Sequence, residues 1–307
     1  MRAVTFASFG GPEVLSISQV PDPQPGAGQV RVRVAAAPVQ PGDLAARSGA
    51  MGPRMPERRY IPGFDFAGTV DQVGPSATEF AVGDQVVGLC EWLGTAQGAQ
   101  AEYAVVDAHT LAPAPAGVDL VTASTVPGNA LTAAQALDEL GIAEDQTLAI
   151  TGAGGAVGGY AVELARLRGI RVLGVASPQD EAFLTERGAE FLPREEDPVA
   201  AVRRVVPGGV DALLDGAGLG PAVLGAVRDG GAFASLIPPA TPPAERGITV
   251  RTPFLRADGA RLRELVALVE RGELTPRVAG VLPLERVAEA HAEAAKSGVR
   301  GRFVLVP

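Results

Sequence analysis

Four glycines, at 152, 154, 155 and 158, separate a short apolar run, residues 147–150, from an apolar-periodic stretch, residues 157–168. A strand, a glycine turn and a helix in that order constrain the chain strongly, because the helix N-terminus then presents unpaired backbone N–H groups at the end of a buried strand. In the segment Gly152-Ala153-Gly154-Gly155-Ala156-Val157-Gly158, Gly152 supplies the tight turn. Gly155 lets backbone amides approach a pyrophosphate, and Gly158 allows the helix to pack close to the strand. The helix dipole adds about half an elementary positive charge there. The spacing is Gly-x-x-Gly-x-x-Gly rather than Gly-x-Gly-x-x-Gly, and such a turn also occurs without a ligand. The βαβ setting favours a dinucleotide.

That setting continues on both sides. A strand over residues 171–176 precedes a helix near 180–187, and strand and helix keep alternating through residues 210–214, 221–227 and 232–236. Apolar strands alternating with helices imply a doubly wound parallel sheet covered on both faces. Before residue 121 the rhythm differs. Short β runs at 3–6, 30–35, 67–73, 85–89 and 101–106 are punctuated by Gly10-Gly11-Pro12, Pro21-Asp22-Pro23, Gly74-Pro75 and Gly83-Asp84, as in a barrel or sandwich. Residues 122–140 read as helical, broken at Pro127-Gly128, with Gly141 as terminator. From about residue 259 come an amphipathic helix at 261–271, another at 284–296 and a closing strand at 302–306. The expected division is 1–121, 122–258 and 259–307.

Charge and cysteine content exclude several functions. A formal net charge of -9 repels nucleic-acid phosphates, yet leaves a backbone phosphate site intact. The single Cys90 permits no intrachain disulfide and no multi-cysteine zinc site, and it suits a small buried hydrophobe. No uninterrupted apolar stretch is long enough for a membrane span, and the N-terminus reads as a strand rather than a signal peptide, so a cytoplasmic protein is expected.

The end of the second strand selects the nucleotide. An NAD enzyme places Asp or Glu there for the ribose hydroxyls, whereas this chain has Ala176-Ser177. Ser177 leaves room for a 2′-phosphate, which favours NADPH. Asp180 and Glu181 follow where a basic residue would suit, and Arg194 is the nearest compensating charge.

The order of Phe9-Gly10-Gly11-Pro12, Pro62-Gly63-Phe64-Asp65, Val82-Gly83-Asp84, Ala101-Glu102-Tyr103, Leu131-Thr132-Ala133, the glycine turn and Gly301-Arg302-Phe303 resembles the quinone oxidoreductase (zeta-crystallin-like) branch of the medium-chain dehydrogenase/reductase superfamily. The resemblance implies a GroES-like β-barrel catalytic domain completed by the C-terminal segment, a Rossmann domain between, and a homodimer. Zinc-dependent relatives carry a Cys early in the barrel and a His-Glu pair at the later motif. Here those regions read Pro38-Val39-Gln40-Pro41-Gly42-Asp43 and Pro62-Gly63-Phe64-Asp65, so no zinc site is expected. His109 and His291 lie elsewhere, and a lone histidine is more often structural.

By the same resemblance, Gln40 replaces the Asn usual beside the nicotinamide, Asp43 matches a retained acid near it, and Thr132 matches a nicotinamide contact. Asn129 is a further polar group on that helix. Asp43 equally suits a helix cap. Relatives often carry a Tyr two residues after the acid; Ala45 stands there, leaving solvent as proton source or a widened pocket. Arg47, Phe64, Trp92 and Phe254 are candidate pocket residues, with surface or core roles as the alternative. Ala217, Gly218 and Ile237 follow strand ends and are candidate cofactor contacts, and Arg302 is a candidate phosphate or inter-domain residue. The expected function is metal-free, NADPH-dependent hydride transfer to a quinone or α,β-unsaturated carbonyl. A tailoring reductase for one natural-product intermediate and a catalytically silent NADPH-binding protein remain as alternatives.

Overall fold

A computed structural model of the chain describes residues 1–51 and 59–307. The strands are β1 (Arg2–Thr5), β2 (Ser16–Gln19), β3 (Gln29–Pro38), β4 (Asp65–Val73), β5 (Gln85–Leu89), β6 (Tyr103–Asp107), β7 (Ala112–Pro113), β8 (Thr147–Thr151), β9 (Arg171–Ala176), β10 (Glu190–Pro193), β11 (Val210–Asp215), β12 (Val227–Ser235), β13 (Thr249–Arg251), β14 (Val278–Pro283) and β15 (Arg302–Val306). Two compact units result: Met1–Leu131 with Ala257–Pro307, and Thr132–Arg256. The division falls inside the helix Pro127–Leu140, about ten residues beyond the rhythm change at 121.

The first unit is a seven-stranded sheet in the order β14-β15-β3-β4-β5-β7, with β6 also on β3, plus the hairpin β1-β2. Strand β3 organises it. Val30, Val32 and Val34 alternate with Arg31 and Arg33, so one face is buried in the core while the other carries charge. Its N-terminal half pairs with β6 and β4, and its C-terminal end pairs with β15, which returns from the far end of the sequence. The N–H of Val39 donates to Phe303 at 2.8 Å, so the residue after β3 is tied to the start of β15. The apolar core of this unit runs from Val4 and Phe6 through Trp92 and Leu111 to Leu284 and Leu305.

The second unit is a six-stranded parallel sheet, order β10-β9-β8-β11-β12-β13. From β8 the chain winds outward to β9 and β10, then returns to the other side of β8 for β11, β12 and β13. Strands β8 and β11 therefore flank a topological switch point, the place at which open α/β sheets take their ligands. All five residues of β8 are buried, as a strand covered on both faces requires. The parallel sheet is the doubly wound one expected from the residue rhythm, and the first unit answers to the barrel or sandwich expected of its short β runs.

Five strands escaped the pattern: β2, β10, β13, β14 and the two-residue β7. Each of β10, β13 and β14 sits at a sheet edge, where half-exposure and Gly or Pro break the alternation; β14 reads Val-Ala-Gly-Val-Leu-Pro. The expected helix at 284–296 is a short 3-10 turn followed by the helix Val287–Ala294. Among the described residues no helix is long and apolar enough to cross a membrane.

Candidate functional site

In the second unit the glycine turn follows β8 directly. Gly152 has φ of +67°, a left-handed conformation that costs glycine little. Gly155 is the N-cap of the helix Ala156–Leu167, with extended backbone. A Cβ at Gly158 would lie 2.2 Å from the Gly152 oxygen, so only glycine lets the first helical turn pack on the loop. Ala153 is fully buried, and the N–H groups of Ala156, Val157 and Gly158 begin the helix without intrahelical partners. This cradle, which a side chain would fill, fits a dinucleotide pyrophosphate.

The neighbouring loop is set by a pair the sequence did not single out. Thr151 Oγ1 donates to Asp215 Oδ1 at 2.6 Å, and Asp215 Oδ2 accepts from the Gly220 N–H at 2.7 Å. The Ala217 N–H donates to Thr151 Oγ1 at 3.2 Å. Asp215 is wholly buried, and its carboxylate curls residues 216–220 toward the turn: a Cβ on Gly152 would meet Gly216 at 3.2 Å. Gly218, at φ of +72°, packs beside Ile237, which is held by Ser235. Thus Ala217, Gly218 and Ile237 gather beside the glycine turn. A carboxylate ending the strand directly after the buried apolar residues Ala212, Leu213 and Leu214 was the available signal for Asp215.

At the β9 end, Ser177 is the N-cap of a short 3-10 turn, and the Arg194 N–H donates to the Ala176 oxygen at 2.8 Å. Arg194 therefore stands beside Ser177, though its exposed side chain also lies 3.7 Å from Glu195. Asp180 turns inward instead of toward solvent. It is buried, and a Cβ on Gly154 would strike its carboxyl group at 2.4 Å.

The first unit holds a buried charge cluster at the end of β3. Gln40 is the N-cap of the helix Pro41–Ser48, with Pro41 at the first helical position. Asp43 is completely buried and accepts from the backbone N–H groups of Gln40 and Gly63, each at 2.9 Å. Both of its oxygens thus serve to cap the helix and anchor the segment before β4. Asp65, also completely buried, accepts from the Gly128 N–H at 2.9 Å and from the Gln40 side-chain amide. Gln40 Oε1 accepts from Arg302 Nε at 2.6 Å, and Arg302 Nη2 donates to Asn129 Oδ1 at 2.7 Å. Since Asn129 follows Gly128 in the chain, these contacts close a ring through Asp65, Gln40, Arg302, Asn129 and Gly128. Gly128 must be glycine here: a Cβ would lie 2.5 Å from Asp65 Oδ1.

Burial pushes the carboxyl groups of Asp43 and Asp65 up to about 7 each, against the lowering effect of their hydrogen bonds. The Asp43 charge raises Asp65 further, while Arg302 lowers both. The buried Trp92 indole N–H makes no hydrogen bond of ordinary geometry, yet it favours the ionised Asp43 slightly. Burial also pushes the Cys90 thiol up, which keeps it an inert small hydrophobe.

Gln40 and Asn129 are thus brought together, and Arg302, a candidate phosphate or inter-domain residue, reaches into the same cluster. Arg47 is buried and donates from Nη1 to the Gly10 oxygen at 3.0 Å. Phe64 and Trp92 belong to an aromatic stack with Phe6 and Tyr60, the Phe64 and Trp92 rings lying 5.5 Å apart. Trp92 has no exposed surface, so it shapes this region from behind. Thr132 is half-buried at the start of the second unit, and Phe254, in that unit, is 59% exposed. His291 is buried beside Gln100, 3.3 Å from its Oε1, and burial drives it down to about 3, so it stays neutral.

The chain is similar to known proteins over its whole length. Residues 26–116 match the alcohol dehydrogenase GroES-like domain family, and residues 188–305 match the zinc-binding dehydrogenase family. The chain is 31% identical over 329 residues to a quinone oxidoreductase of Lama guanicoe, covering 100% of this chain and 97% of that protein. It is 26% identical to a chloroplastic NADPH-dependent alkenal/one oxidoreductase of Arabidopsis thaliana, covering 100% and 80%. Among solved structures, an NAD-dependent alcohol dehydrogenase superposes with a TM-score of 0.87 at 32% identity, over 100% of both chains.

Proposed function

We propose, from the premise that this chain belongs to the quinone oxidoreductase branch of the medium-chain dehydrogenase/reductase superfamily, that it is an NADPH-dependent reductase of quinones or α,β-unsaturated carbonyls that works without a metal. One observation carries the metal-free part. At the positions where zinc-dependent relatives place Cys and His-Glu, this chain has Gln40 and Phe64-Asp65, and the space beside Gln40 receives the Arg302 guanidinium. A carboxamide, a phenyl ring and a fixed cation do not make a tetrahedral N/S site, so the donor set does not fit zinc. Among the described residues no group of three His, Cys, Asp or Glu side chains offers a metal site elsewhere.

The dinucleotide fits the second unit. The amides of residues 155–158 hold the pyrophosphate, and Ala217, Gly218 and Ile237 flank the crevice. The bound nucleotide supplies a hydride. Ser177 and the adjacent Arg194 support a 2′-phosphate, while the inward carboxylate of Asp180 works against one; NADPH is the reading we adopt because no acid occupies the strand end itself. A conjugated acceptor suits hydrogen-bond donors in place of a Lewis acid, since its negative charge is delocalised as it forms.

The test is loss of dihydronicotinamide absorbance with NADPH and with NADH, across simple quinones, enones and unsaturated aldehydes, before and after chelator treatment. Turnover of several acceptors, preferring NADPH and indifferent to chelation, is the expected result. Abolition by chelation and restoration by zinc would refute the metal-free reading. Turnover confined to one elaborate acceptor would favour the tailoring reductase, for which the small Ala45 leaves room. Tight NADPH binding with every acceptor untouched would favour the silent binder.

A further inference from the structure

The ring of Asp65, Gln40, Arg302 and Asn129 has a property that a set of independent hydrogen bonds lacks: its polarity is dictated at one point. Asp65 accepts on both oxygens, from Gly128 and from Gln40. An ionised Asp65 only accepts, so Gln40 turns its NH2 to Asp65 and its Oε1 outward. That oxygen draws in Arg302 Nε at 2.6 Å, and the guanidinium plane is fixed by its second bond, from Nη2 to Asn129 at 2.7 Å. Asn129 is oriented in turn, because its own NH2 donates to the Thr125 oxygen at 2.8 Å. Gln40, Asp65 and Asn129 are all at least nine-tenths buried, whereas Arg302 is only partly so. The cationic head is thus held rigidly at the edge of a buried polar cluster, against Gln40, the residue that stands where zinc-dependent relatives carry a Cys.

Resting on the reductase reading above, we propose that Arg302 is the cation that receives the negative oxygen of the reduced acceptor, and that Asp65 is a positioning residue acting on it through Gln40. In the step, the acceptor's β-carbon gains a hydride from the dihydronicotinamide. The C=C pair moves to form the enolate double bond, and the C=O π pair goes to oxygen. Arg302 stabilises that oxyanion, water later protonates the α-carbon, and the nicotinamide is left oxidised. A quinone takes the hydride on one carbonyl oxygen as its ring becomes aromatic, and the negative second oxygen of the hydroquinone monoanion replaces the enolate oxygen until water protonates it. A planar fork of donors suits such an oxygen, and donors aimed at developing charge are typically worth about 100-fold in rate.

Isosteric variants of the ring test this. Asp65→Asn keeps its oxygen toward Gly128 but turns an NH2 toward the NH2 of Gln40, so Gln40 flips and opposes Arg302. Gln40→Glu still accepts from Arg302 but sets a carboxylate against Asp65. The double variant reverses the polarity of that single bond and restores every donor–acceptor match with the original total charge. Each single variant is expected to lose about tenfold or more in kcat with little change in KM, and the double variant to recover to within about threefold. Arg302→Gln is expected to lower kcat about 100-fold while dinucleotide affinity stays within about threefold. Binding of para-nitrophenolate, followed by its colour, supplies a readout without turnover: wild type and the double variant hold the anion, and Arg302→Gln does not.

A double variant no better than the worse single, or Arg302→Gln losing dinucleotide affinity in proportion to rate, overturns the assignment; the latter makes Arg302 a phosphate ligand. If wild type reduces no acceptor yet binds the phenolate through Arg302, the reductase reading fails and the oxyanion site stands. If wild type is active and Arg302→Gln is as fast, the reverse holds.

Discussion

The two candidate sites in this chain are built from opposite materials. In the parallel-sheet unit, the glycine turn offers backbone N–H groups, and its side chains have been removed so that the backbone can be approached: at Gly158 even a methyl group would collide with the preceding loop at 2.2 Å. In the barrel unit, side chains do the work, and two completely buried carboxyl groups are kept in place by amides, a carboxamide and a guanidinium. A backbone site tolerates variation in what surrounds it but not in its own glycines. A side-chain ring tolerates nothing that changes the direction of one hydrogen bond. Substitution in the first should therefore act on ligand affinity, and substitution in the second on stability or rate.

The largest effect is expected at Asp43. Asp43→Ala strips two buried N–H groups, on Gln40 and Gly63, of their acceptor. At roughly 1–3 kcal/mol for each orphaned group, stability should fall by about 4 kcal/mol, read from the urea midpoint. A loss under about 1 kcal/mol would mean that Asp43 is not the anchor of the barrel cluster. In the other unit, Gly155→Asp is expected to weaken dinucleotide binding at least about 100-fold, or about 2.7 kcal/mol, with the urea midpoint almost unmoved. Its Cβ would sit 3.1 Å from the Gly152 oxygen, close but tolerable, so the damage falls on the phosphate and not on the fold. Unchanged affinity would break the contrast between the two sites at its backbone end.

A subtler change sharpens nucleotide choice. Ser177→Asp places a carboxylate at the end of β9, where it can bind ribose hydroxyls and repel a 2′-phosphate. The ratio of NADPH to NADH affinity should drop about tenfold, equal to about 1.4 kcal/mol. A ratio that stays put would locate the selecting charge elsewhere, with Asp180 against Gly154 the first place to look.

The same contrast explains what could be read in advance. Glycines 152, 155 and 158 lie within seven consecutive residues and carry their meaning in their spacing, so the glycine turn and the sheet around it were legible. The V-R-V-R-V alternation of β3 likewise announced a half-buried strand. The ring was not legible, because its parts come from four segments, and Gln40 and Arg302 stand 262 positions apart. Nothing local to Arg302 says that β15 will pair with the end of β3 and deliver it to Gln40. Asp215 and Thr151 failed to stand out for a related reason: a polar residue at a strand end looks like the start of a loop until the neighbouring strand shows what it holds.

The smallest effect, and the one that tests the burial of charge most directly, is in the pH dependence of stability. Asp43 and Asp65 are pushed up to about 7 in the folded chain, against an ordinary value of 3.8. The folded state therefore holds these protons more tightly than the unfolded state, so their contribution to stability is fullest below about 4 and is lost as pH rises through about 7. His291 acts oppositely. Held down to about 3 against an ordinary 6.5, it penalises the folded state in acid, and that penalty fades as pH rises to 6.5. The two slopes offset each other across mildly acidic pH, so wild type alone is a poor witness. The difference between wild type and Asp65→Asn removes His291 from the comparison, because the histidine is common to both. That difference should shift against wild type as pH rises from 5 to about 8, whatever constant cost the broken ring adds. A difference that stays flat would mean that the Asp65 carboxylate is as well solvated by Gln40, Gly128 and Arg302 as it is by water.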